Sequence, residues 1–352
     1  MTCDDRRMKP HSKARRHHWI PESYLGLFSR DGSTGSQVFV VDALERKSFW
    51  TSTDNVCVKR DFNRIEGTEL DPNELETQLG AFESDAISAL REIGAGRKGM
   101  DSKEWLYTLN LMGLISARNP VTRRQMTKAF ERVTLAMLGD TLKSKEAWES
   151  VVADAKAAGT LDPSLPTDYE RHREFITGGK FTMSVNQNFL IFHELRGVAD
   201  VIELLARRTW SLFEAPADSG GFVTTDRPVC VFPTDGTMPT APTRLDDPRN
   251  AVVFPVSPRL LAYGCSERHT YARGIDRRMV ARMNLKLLQF STGRVFGPHE
   301  RFEFGSHKSQ LPYLVGKDVL DIMGEFVWFD DAEQGVPERA VDSPSGDPRG
   351  ES

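Results

Sequence analysis

Arg15-Arg16-His17-His18-Trp19-Ile20-Pro21 sets two imidazoles behind a basic run and ahead of a short Pro-initiated helix, with Tyr24, Leu25 and Phe28 on one side. Proline suits a first helical position, where its missing N–H would have had no partner. The histidines thus stand where a chain enters a helix, a place that binds anions or orients a titratable group. An imidazole that titrates near neutral pH can serve as general acid or base. Asp226 could work beside it, in Phe222-Val223-Thr224-Thr225-Asp226-Arg227-Pro228-Val229, a carboxylate at a turn between two apolar runs. Strand ends of this kind hold catalytic or cation-binding acids rigidly, although Asp ahead of a Pro-containing turn is also ordinary turn chemistry. Arg118 closes a long apolar helix before Asn119-Pro120. There it can grip an anion bidentately or sit at the favourable end of the helix dipole. Glu83 lies beside the apolar face of another helix and reads most simply as solvated or in a surface pair, a lesser candidate.

Other chemistry-bearing patterns fall away on context. Gly94-Ala95-Gly96-Arg97-Lys98-Gly99 spells a dinucleotide fingerprint, but that loop requires a strand before it and here a helix precedes it. Its glycines are expected to end that helix in left-handed conformations. No G-x-S-x-G elbow, phosphate-binding Walker loop or H-E-x-x-H occurs, and His193 on an apolar helix reads as a packed residue.

The elements that must position these residues can be read in turn. Gln37–Asp42 and Lys47–Trp50 form a hairpin. Asp71-Pro72-Asn73-Glu74 opens a helix whose apolar face runs through Leu75, Leu79, Phe82, Ala86, Leu90 and Ile93. A second helix runs from Asp101 or Ser102 to Arg118, and Asn119 caps a third with Pro120 in its first turn. Ser144 to Ala158 is a fourth, 159–180 reads as a long loop, and Asn186–Leu205 is helical again. Short apolar strands follow at Thr209–Phe213, Phe222–Thr225, Val229–Phe232, Val252–Val256 and Leu260–Gly264, then a helix over Gly274–Leu288 and a last strand at Phe326–Phe329. The expected fold is α+β: a helical central region on a mixed or antiparallel sheet built mainly from C-terminal strands, with an N-terminal hairpin. The expected organisation is a basic flexible arm over 1–14, one α+β domain over 15–330 and an acidic disordered tail over 331–352.

Composition narrows the setting. No run approaches the roughly 18 apolar residues that span a bilayer, and the polar N-terminus predicts no secretory signal. Cys3, Cys57, Cys230 and Cys265 show no paired spacing, which argues against a disulfide framework or thiolate zinc and for a reducing, cytoplasmic setting. Residues 1–18 carry six Lys/Arg against two Asp, a basic head that could touch phosphates.

Taken together these segments resemble the bacterial domain-of-unknown-function 4238 family, over roughly residues 15–300. The opening motif is carried by His18, Trp19, Pro21, Tyr24, Leu25 and Phe28, with Asp61-Phe62 before the first long helix. Glu76 and Glu83 within that helix, Arg118-Asn119-Pro120, Thr225-Asp226-Arg227-Pro228-Val229, Pro255-Val256-Ser257-Pro258-Arg259 and Asn284 complete the pattern. The extra His17 leaves two imidazoles for one motif position. The resemblance implies no known reaction, but it implies that His18, Arg118, Asp226 and Asn284 share a site. Two functions are then expected. One is a hydrolase for a phosphate-containing or nucleic-acid substrate, with His18 as acid/base, Arg118 neutralising charge and Asp226 orienting the His or binding a divalent cation. The other is a non-catalytic binding or regulatory module in which the same residues form a structural polar network.

Overall fold

The protein is described by a computed structural model covering residues 16–67, 71–179, 181–235, 243–266 and 274–305, with Leu314, Val315, Asp318 and Leu320. The basic arm, the acidic tail and the strand expected at Phe326–Phe329 lie outside these residues.

A short strand β1 (Arg16–His18) leads through Pro21 into α1 (Glu22–Gly26). The hairpin β2 (Gln37–Asp42) and β3 (Lys47–Ser52) follows, and β4 (Val58–Arg60) returns to pair antiparallel with β1, His18 opposite Val58. The helical region is α2 (Glu74–Gly94), α3 (Lys103–Ala117), α4 (Pro120–Thr141), α5 (Lys145–Ala157), α6 (Tyr169–Thr177) and α7 (Gln187–Ala206). Local chemistry sets several of these ends. The Ser102 hydroxyl accepts from Trp105 N, Asn119 Oδ1 accepts from Val121 N ahead of Pro120, and Ser144 accepts from Ala147 N. Of the three glycines expected to end α2, only Gly96 is left-handed, with φ +70°; Gly94 is the last residue of the helix itself.

Two readings of this region change. The stretch 159–180 is not a plain loop: nine of its residues form α6, capped by Asp168 accepting from Arg171 N. None of its residues is buried, so no apolar stripe announces it. The first long helix starts at Glu74 rather than at Pro72, because the Asp71 carboxylate takes Asn73 N in a preceding turn.

The strands are β5 (Thr209–Glu214), β6 (Thr224–Thr225), β7 (Cys230–Pro233), β8 (Asn250–Ser257), β9 (Leu260–Cys265), β10 (Arg294–Gly297), β11 (Glu303–Phe304) and β12 (Leu314–Val315), with α8 (Arg277–Phe290) between β9 and β10. One four-stranded antiparallel sheet has the order β5-β9-β8-β7 and comes wholly from the C-terminal half. The other has the order β3-β2-β10-β6, so the N-terminal hairpin is sealed into a sheet by a strand some 250 residues later. Strands β2, β8, β9 and β10 are buried on both faces and read as near-continuous apolar runs, whereas the edge strands β3 and β5 stay partly exposed. Val252, Phe254 and Val256 point with α1, α2 and α3 into one core, while Ala251 and Val253 join Val280, Leu287 and Leu288 of α8 in the second. Tyr24 ties the layers: its hydroxyl donates to the Pro255 carbonyl at 2.8 Å and bonds Thr224 Oγ1 at 3.0 Å, with the ring stacked on Phe254. No described helix is long and apolar enough to cross a membrane, and the three described cysteines are free and buried.

Candidate functional site

The two neighbouring histidines have different lives. His17 is fully buried, and its Nδ1 accepts the backbone N–H of Asn63 at 2.8 Å, a structural bond between β1 and the segment after β4. His18 faces the other way along the strand, and its Nε2 is buried without a hydrogen-bond partner among the described residues. Desolvation lowers the His18 pKa below its ordinary 6.5, outweighing the raising effects of Glu22, Glu76 and a bond to the Thr53 backbone. At neutral pH its ring is therefore uncharged and available as a base.

Asn63 is the residue that the sequence did not point to. It is fully buried, its Nδ2 donates to Glu76 Oε2 at 2.6 Å, and its Oδ1 has no partner among the described residues. A carboxylate only accepts, so the Glu76 contact fixes the orientation of the amide, its nitrogen towards Glu76. The segment is held from behind. Asp61 takes a left-handed φ of +55°, and Arg123 of α4 donates to the Phe62 carbonyl while its guanidinium lies 3.7 Å from the Phe62 ring centroid. Arg123 in turn makes a two-point bond to Glu194 of α7, whose side chain is 2% exposed.

Glu76 and Glu83 stand seven residues apart on α2, two turns along one face. Glu83 is not the solvated surface residue its spacing suggests. Its Oε1 accepts from Arg118 Nη2 at 2.7 Å, and the two side chains are 18% and 3% exposed. Burial pushes the Glu83 carboxyl up and the Glu76 charge adds to this, against the lowering by Arg118. Arg118 keeps Nε and Nη1 buried and unpartnered among the described residues, on either side of the nitrogen that Glu83 holds. His18, the Asn63–Glu76 pair and the Glu83–Arg118 pair thus lie from β1 across α2 to the end of α3, with His18 and Glu83 both near enough to feel the Glu76 charge.

The other two expected members are placed differently. The Asp226 carboxylate is buried and accepts from Thr292 N at 2.9 Å and from the Thr292 hydroxyl, while its backbone carbonyl accepts from Asn119 Nδ2 at 3.1 Å. Its turn therefore lies against the residue next to Arg118, but its side chain is spent on the start of β10. Burial raises its pKa, against the Thr292 bonds and the Arg227 and Arg294 charges. Asn284 accepts from Val223 N and donates to the carbonyls of Gly221 and Glu303, so none of its bonds reaches the His18 chain. Among the described residues no three His, Cys, Asp or Glu are grouped to hold a metal, and a cation at Asp226 would have to displace Thr292.

A helical layer against antiparallel sheets makes this an α+β protein, with the His18, Glu76, Glu83 and Arg118 side chains as its candidate polar site. Residues 16–300 match the family model described as "Protein of unknown function (DUF4238)", and the chain belongs to that family. No curated protein and no solved structure matches it.

Proposed function

We propose that the chain is a hydrolase for singly charged phosphate esters, the linkage found in nucleic acids and their fragments. The observation that carries this reading is that four of the nine buried side-chain polar atoms without partners among the described residues fall on this one cluster: His18 Nε2, Asn63 Oδ1, and Arg118 Nε and Nη1. Protein interiors pair such groups, and four of them on adjoining elements can receive the polar atoms of a water and a ligand. In this reading a water donates one hydrogen to His18 Nε2 and one to Asn63 Oδ1, which aims its lone pair at the phosphorus. His18 takes the proton as the new P–O bond forms, and Arg118 receives the oxygen that gains charge. Glu83, whose burial favours the protonated form, gives its proton to the leaving oxygen as the old P–O bond breaks, and solvent resets both groups. A lowered base beside a raised acid is the pattern of an acid–base pair. With Glu83 in its protonated form, the single guanidinium of Arg118 suits a single negative charge better than a phosphate monoester's two.

Hydrolysis of bis(p-nitrophenyl) phosphate tests this. His18→Ala and Arg118→Gln should each lower kcat/KM by about 100-fold or more. No turnover by the parent chain, or full turnover by His18→Ala, overturns it. The completed bonds of Asp226 and Asn284 favour the second reading, a binding module with a structural network, for that part of the molecule. If it held for the whole, His18→Ala would unfold the chain rather than silence it.

A further inference from the structure

Away from the His18 chain, a cleft of about 610 Å³ opens between the turn before β6, the start of α8 and the segment from β10 to β11. Asp218, Gly220, Arg277, His299, Arg301 and Glu303 line it. We propose that this cleft is a second binding site, for a small zwitterion bearing both an ammonium and a carboxylate: a free amino acid or a dipeptide.

The charges argue for that class. Arg277 grips the nearly buried Glu303 carboxylate through Nε, at 2.9 and 2.7 Å to its two oxygens, and through Nη2, so these two charges cancel. Asp218 and Arg301 are exposed to the cleft, have no hydrogen-bond or ion-pair partner among the described residues, and make no ion pair with each other. Partial burial lowers the His299 pKa, so it offers hydrogen bonds without charge at neutral pH. What remains among the described lining residues is one free positive and one free negative charge in one cavity. A simple anion placed there meets Asp218, and a simple cation meets Arg301; a ligand carrying both charges is complementary to both. The volume lies within the range of small-ligand sites and exceeds a single amino acid.

The walls are built in advance, which lowers the ordering cost of binding. Gly220 has φ +72°, and a Cβ there would stand 2.3 Å from the Arg301 carbonyl oxygen, so the two walls touch backbone to backbone. Asn284, fully buried, bonds Gly221, Val223 and Glu303 and fixes both walls from behind. On the far side Trp50 Nε1 donates to Glu300 Oε1 at 2.8 Å, pinning the turn that carries His299 and Arg301 to β3. Asn284, expected to join His18, thus serves this cleft.

The test is an NMR titration of the full chain at pH 7.5 with glycylglycine, with N-acetylglycine, which lacks the ammonium, and with glycinamide, which lacks the carboxylate. Glycylglycine should shift the lining residues and bind about tenfold more tightly than either blocked probe. Asp218→Asn should erase its advantage over N-acetylglycine, and Arg301→Gln its advantage over glycinamide. Both side chains are exposed at the rim, so the fold survives their replacement. No saturable binding of glycylglycine overturns the proposal, as does equal binding of N-acetylglycine or inorganic phosphate, which would mark a plain anion site.

Discussion

Asp226 and Asn284 on one side, and His18, Asn63 and Arg118 on the other, are polar side chains in the same interior, and they differ in how they are finished. Both Asp226 oxygens meet Thr292, and Asn284 uses its oxygen and its amide nitrogen on three backbone groups. His18, Asn63 and Arg118 each have one fixed contact and at least one buried polar atom without a partner among the described residues, two in the case of Arg118. The first pattern returns the cost of desolvation within the fold; the second leaves that cost standing until something else arrives. Burial alone would have grouped all five together, and it is the bookkeeping of donors and acceptors that separates scaffold from site.

That contrast can be broken or sharpened by measurement. The largest effect is expected at Glu194→Ala, which strands the buried Arg123 charge and releases the Phe62 carbonyl contact. A loss of about 3–5 kcal/mol in urea unfolding is expected, and a loss below about 1 kcal/mol would mean that completed pairs do not hold this molecule. Asp226→Ala should cost about 2–4 kcal/mol by leaving Thr292 N and its hydroxyl unanswered. Asp226→Asn keeps an acceptor for Thr292 N and removes a buried charge, so it should stay within about 1 kcal/mol of the parent. The folded Asp226 value lies above 3.8, so the native state holds the extra proton, and stability falls as pH rises through the window above 3.8. Asp226→Asn should flatten that slope in a pH series of melting curves.

The smallest stability effect belongs to His18→Gln, at less than about 1 kcal/mol, because its outer nitrogen bonds nothing in the fold. Its folded value lies below 6.5, so its contribution is intact above 6.5 and lost as pH falls through that value. The acid limb of kcat/KM should accordingly sit below pH 6.5. A limb at or above 6.5 would assign the base to another group.

What could be read from the sequence was local. The caps at Ser102, Asn119 and Ser144 and the turn at Asp226 depend on neighbours within a few positions, and they stand as the residue pattern implies. The α+β architecture followed from strand-like and helix-like periods. The Glu83–Arg118 pair spans 35 positions, and nothing in either residue's surroundings along the chain marks it. Asn63 was missed for a similar reason, since its role comes from the His17 ring, Glu76 and a left-handed Asp61 acting together. Which imidazole is packed away was likewise a question of strand alternation: with β1 paired to β4, His17 is fully buried and His18 is only partly so. The short helix α6 carried a signal, Asp168 at one end and Gly178-Gly179 at the other, but no apolar stripe joined them.

The sheet β3-β2-β10-β6 also sets an order of events during synthesis. Val41 of β2 pairs with Val295 of β10, and at about 5–20 residues per second a ribosome needs on the order of 10–50 s to deliver that partner. All members of the His18 chain, by contrast, lie between residues 18 and 118 and emerge well before β10. The nascent hairpin must wait with one edge unpaired, a state prone to adding strands from other chains. Slowed elongation or truncation before residue 294 should therefore yield chains that hold their helices and aggregate through β2.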